Sequence, residues 1–119
     1  MATPKLQNQP QAITATIANA ASLSGIVDLG ATRLVGIVIP AAWTAANLTF
    51  SVSRDGVTFV DLYDNFGAEY TVTVGGVNRR VLVPYSDFFG VRWLKVRSGT
   101  SATPVNQAAQ RDLILISAP

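Results

Sequence analysis

The sequence predicts an all-β fold, an antiparallel β-sandwich or jelly roll of about eight strands. Three observations predict it. Apolar residues alternate with polar ones in short runs, turn residues separate those runs, and no segment carries a helical period long enough for a credible helix. With 119 residues the chain makes one domain that can bury a real core.

Residues 1–10, MATPKLQNQP, hold two prolines and one isolated leucine and read as an extended or flexible arm ahead of a single sandwich domain over 11–119. Gln11 to Asn19 alternates through Ile13, Ala15 and Ile17, which predicts a first strand. SGIVDLG predicts a short second one, closed by Gly30. Arg33 to Ile39 is apolar on both faces, with Val35, Ile37 and Ile39 on one and Leu34 and Val38 on the other. Such a strand is central in a sheet or covered twice. Pro40 ends it, since proline cannot donate to a ladder.

Asn47 to Tyr63, NLTFSVSRDGVTFVDLY, is a β-hairpin turning at Arg54-Asp55-Gly56. A two-residue turn would pair Phe50 with Asp61 and Val52 with Phe59. A three-residue loop pairs Leu48 with Leu62, Phe50 with Val60 and Val52 with Thr58. Only the second collects the apolar side chains on one face, because a slip of one residue exchanges faces. It predicts Leu48, Phe50, Val52, Val60 and Leu62 as core. Thr49, Ser51, Ser53 and Asp61 fall on the other face, as does Phe59, an aromatic that needs a cover.

Asp64-Asn65-Phe66-Gly67 is a turn, and a second hairpin is expected from Tyr70–Val74 and Val77–Val83 around Gly75-Gly76. Pro84 to Gly90 is a loop. Val91 to Ser98 is a strand with Leu94 and Val96 to one side and Trp93, Lys95 and Arg97 to the other. After the polar stretch 99–110, Arg111 to Ser117 is again apolar on both faces, through Leu113 and Leu115 against Ile114 and Ile116.

Composition narrows the function. Histidine and cysteine are absent, which removes imidazole bases, Ser-His-Asp triads, thiol nucleophiles and thiolate zinc sites. The carboxylates have simpler work: Asp55 and Asp64 in turns, Asp87 at a capping position. Asp61, Asp64 and Asn65 offer hard oxygens, but their spacing matches no calcium loop. The chain is therefore expected to be no enzyme and to carry no cofactor or metal.

Charged residues make up 13% of the chain, about half of the usual ~25%. The mean hydropathy is +0.32. No apolar run approaches the roughly 18 residues of a membrane helix, and the polar N-terminus leads into no signal-peptide segment. The excess apolar surface points to burial against other copies or a larger assembly. Arg79, Arg80, Arg92, Lys95 and Arg97 with Trp93 outline a basic strand with an aromatic platform. A net charge of +2 and the lack of any nucleic-acid motif argue against that use. Trp43 and Trp93, with Tyr63, Tyr70 and Tyr85, would alternatively line a sugar platform.

Four segments in this order, Asp28-Leu29-Gly30, Val35-Gly36-Ile37, Ser53 with Asp55, Gly56 and Phe59, and Trp93-Leu94-Lys95-Val96-Arg97, resemble the discoidin-like (galactose-binding-like) sandwich. The resemblance spans roughly residues 25–117. The chain lacks that family's terminal cysteines and its long ligand-binding loops, so sugar or lipid binding is not implied by it. Trp43 to Asp61, with Val96-Arg97-Ser98-Gly99-Thr100 and Val105-Asn106-Gln107, resembles small β-sandwich structural proteins of tailed bacteriophages. That resemblance implies a virion protein made in the host cytoplasm, a head-decoration or fibre-base component. It would be homo-oligomeric, with a trimer favoured, and docked on another virion protein such as the major capsid protein. The contact residues expected on this reading are Trp43, Phe59, Trp93, Lys95 and Arg97; a glycan is the alternative partner.

Overall fold

A computed structural model describes residues 10–119. The strands are β1 (Gln11–Ile17), β2 (Val27–Asp28), β3 (Arg33–Ile39), β4 (Leu48–Ser53), β5 (Val60–Asp61), β6 (Arg79–Leu82), β7 (Trp93–Ser98) and β8 (Arg111–Ala118). They form two four-stranded sheets, sheet A in the order β1-β8-β3-β6 and sheet B in the order β2-β7-β4-β5. Every pairing is antiparallel. The protein is an all-β sandwich. The expected arm falls outside the described residues except for Pro10.

The core lies between the two inner faces. Sheet A supplies Ala15, Ile17, Ile37, Ile39, Leu113 and Leu115, and sheet B supplies Val27, Leu48, Phe50, Leu94 and Val96. Each of the larger of these side chains stabilises the fold by about 1.5–3 kcal/mol relative to exposure. Phe88, fully buried, plugs the core from the 84–90 loop, edge-on to Phe50 at 5.0 Å and to Tyr70 at 5.4 Å. Gln107 ties the polar 99–110 loop down from inside. It accepts from Thr44 N and donates to the Thr44 carbonyl and to Ser98 Oγ.

The two doubly apolar strands, β3 and β8, are the two central strands of sheet A, as that pattern requires. A bulge between Leu34 and Gly36 changes the side on which the first residues of β3 fall. Leu34 turns inward with Ile37 and Ile39, while Val35 is only half-buried. The expected face assignment thus holds from Ile37 onward and fails before the bulge.

The opening hairpin keeps its faces but not its register. Val52 pairs with Val60 and Ser51 with Asp61, two residues along from the expected pairing. Side-chain bonds lengthen the loop: Ser53 Oγ accepts from Asp55 N and Gly56 N, and Asp55 Oδ1 accepts from Val57 N and Thr58 N. A shift of two preserves the alternation. It also carries Val60 past the edge of the core, so that Val60 is exposed rather than buried.

The second expected hairpin does not form. Val72 bridges Leu48 along sheet B, whereas β6 crosses over to pair with β3 in sheet A. Gly75, Gly76 and Asn78 all have positive φ and make a corner between sheets instead of a tight turn. The Arg79 side chain lies over Gly76, where any Cβ would stand 2.4 Å from the guanidinium. The alternation was still informative, since Val72, Val74 and Val83 are buried.

Candidate functional site

Each sheet has an outer face, and the two are built differently. On sheet B, β7 turns Trp93, Lys95 and Arg97 outward, over the small residues Thr49, Ser51 and Ser53 of β4, which are buried beneath them. Arg97 donates to Asp61 at 2.7 Å and to Glu69 at 3.2 Å, with its side chain only 12% exposed. The Lys95 ammonium sits 4.6 Å from the centre of the Phe59 ring. Trp93 packs on the backbone of Gly56 and carries the Arg92 guanidinium 4.4 Å from its ring centre. This face covers itself with its own long side chains.

Four of the five expected contact residues, Phe59, Trp93, Lys95 and Arg97, are thus brought together on one face, but they are engaged with one another and with their neighbours. Phe59 is half-buried under Lys95 within a single chain, which counts against assembly through this face. Trp43 does not join them. It is 8% exposed, packed into the core with its indole N–H donated to the Ala46 carbonyl, because the turn after Pro40 folds it inward. As a contact residue it is corrected to a core residue. A sugar platform loses the free faces of both tryptophans in the same way.

The outer face of sheet A is apolar instead and only partly covered, with the Arg80 side chain lying over Gly36. Pairing across its strands sets two rows of side chains outward. One row runs Thr14, Ile114, Val38, Arg80 and the next Ala12, Ile116, Gly36, Leu82. Ile114, Ile116 and Val38 are half-buried, and Leu82 is 75% exposed at the edge strand. Two groups of opposite charge stand at opposite sides: Arg80 on β6, and Asp112 on β8 beside β1, where its Oδ1 accepts from the Thr16 hydroxyl. Among the described residues neither has an ion-pair partner. At the end of the face Arg33 is held over the exposed rings of Tyr85, at 4.3 Å, and Phe89, at 4.5 Å. Reading the sequence for aromatic and basic residues missed this surface. The signal for it was the second apolar face of β3 and β8.

A cleft of about 760 Å³ runs along the side of the sandwich, lined by Leu62, Tyr63, Phe66, Tyr70, Leu82 and Asp87 among others. Tyr70 donates its hydroxyl to Asp87 at 2.5 Å, pinning the 84–90 loop to sheet B. Burial, and then the Asp87 carboxylate, push the Tyr70 phenol well above its ordinary pKa. Among the described residues no group of three or more acidic side chains gathers as metal ligands. Comparisons with family models, with curated proteins and with solved structures give no match.

Proposed function

We propose that this chain is a non-enzymatic structural protein of a tailed-phage particle, head-associated, acting by self-association and docking on other virion proteins. The observation that carries the association part is the outer face of sheet A. Its two central strands turn isoleucine and valine to both sides, yet the sandwich covers only one of them. Apolar sheet surface of that kind supports a contact with another apolar surface. The contrast with sheet B, whose outer face is closed by Arg97, Lys95, Trp93 and Phe59, favours sheet A as the side that associates. The virion part rests on the sequence resemblance, the low charge, and the lack of histidine and cysteine.

Two experiments test the two parts. Light scattering should give a mass above that of one chain at micromolar concentration; a clean monomer would contradict association. Mass spectrometry of gradient-purified particles from the encoding phage should recover the chain in many copies per particle. Its absence from particles, with the chain present in the lysate, would contradict the virion role.

A further inference from the structure

We propose that sheet A of one copy packs face to face on sheet A of a second copy, about a two-fold axis running along the strands between β8 and β3. In that pair Arg80 of each copy meets the partner's Asp112. The inference rests on the reading of this face as the association surface and specifies what covers it.

Size complementarity is the first argument. A strand-parallel two-fold reverses the strand order but leaves each row facing its own row. The row Ala12, Ile116, Gly36, Leu82 alternates small and large. Reversed on itself, it sets Ile116 against the partner's Gly36 and Leu82 against the partner's Ala12, so each bulky side chain enters a gap. In the row above, Ile114 meets the partner's Val38. Facing sheets about 10 Å apart are filled by such interdigitation. In the single chain the gap at Gly36 is occupied by Arg80, whose Nε lies 3.0 Å from where a Cβ would stand. That is the movable end of an exposed side chain, and the partner's Ile116 would displace it.

Charge is the second argument. β6 and β1 are the two edges of sheet A, three strand spacings or about 14 Å apart. The strand-parallel axis carries Arg80 from one edge to the other, where it faces Thr14, one row along and one strand in from Asp112. The reach of an arginine side chain covers that step and the ~30° by which packed sheets usually cross. Asp112 has its Oδ2 unengaged among the described residues. An axis running across the strands would instead set the two β6 strands over each other and bring the two copies of Arg80 close, which like charges oppose. A flat face meeting itself closes on a two-fold. The trimer expected from the sequence would need a different surface.

The test is a charge exchange read as the dimer dissociation constant by dilution calorimetry, with circular dichroism confirming that each variant folds. Arg80→Asp and Asp112→Arg should each weaken dimerisation about tenfold or more, and the double variant should recover most of the loss. Gly36→Val, which fills the gap without a charge change, should weaken it as well. If Ile114→Lys abolishes the dimer while the charge variants and Gly36→Val leave it unchanged, this pairing is overturned and association through the face stands. If Ile114→Lys also leaves the dimer intact, the face itself is the wrong surface.

Discussion

Arg97 and Asp61 close on each other at 2.7 Å across the outer face of sheet B, and Glu69 takes the other arm of the same guanidinium at 3.2 Å. The contact turns an apparent basic strand into a neutralised one. Arg97→Ala should cost about 1–3 kcal/mol, because it strands Glu69 in a largely covered position as well as removing two charge-assisted bonds. Arg97→Lys should recover only part of this, having no fork for two carboxylates. Urea unfolding of both variants measures it.

Tyr70 and Asp87 give the protein an alkaline limit. The folded-state phenol titrates above its unfolded value, so its contribution is fully present below about pH 10 and is lost as pH rises towards the folded value. Thermal melts from pH 8 to 11.5 should show a decline above about pH 10. Tyr70→Phe should lose about 0.5–1.5 kcal/mol at neutral pH and show a shallower alkaline decline.

Asp55 and Asp28 act at the other end of the scale. The backbone N–H groups of Thr58 and then Val57, with the Ser53 hydroxyl, hold the Asp55 carboxyl below its ordinary value. The Arg92 guanidinium, and then the Gly30 N–H, do the same for Asp28. A depressed folded-state value means stability that is present above about pH 4 and lost as pH falls through the folded value. Melts between pH 2 and 6 should show that loss, and Asp55→Ala should reduce its steepness.

The two tryptophans should behave as different residues. Trp43→Ala empties a core site and should cost about 3–5 kcal/mol, whereas Trp93→Ala, at a half-buried position, should cost less. In Trp93→Phe, the remaining Trp43 emission should be blue-shifted and poorly quenched by acrylamide. Simple sugars should leave it unchanged; saturable sugar quenching would favour the carbohydrate reading instead.

Much of the fold was legible where one local rule decided the outcome. Pro40 ends β3 at Ile39, and the Asp-Gly turn with its flanking alternation placed the apolar face of the first hairpin correctly. The register was not legible, because Ser53 and Asp55 build the loop through side-chain bonds that turn-length rules do not count. Gly75-Gly76 misled for a related reason. Paired glycines permit a tight hairpin and a corner between sheets equally well, and only the docking of β6 on β3 separates them.

The candidate site divides in the same way. The doubly apolar strands were visible and are the two central strands of sheet A. The particular contact residues were not, since Trp43, Trp93 and Arg97 are of the types that mark interfaces. Here Trp93, Lys95 and Arg97, placed over Thr49, Ser51 and Ser53, cover the protein's own sheet, and Trp43 fills the core.

Whether sheet A carries self-association is read by sedimentation equilibrium of the wild-type chain beside Ile114→Lys, each over a concentration series into the high micromolar range. The wild type should show reversible self-association, and the lysine, set among Val38, Thr14 and Ile116 on the outer face of sheet A, should leave a folded monomer. A wild type that stays monomeric throughout, or a variant that associates as strongly as the wild type, would contradict it.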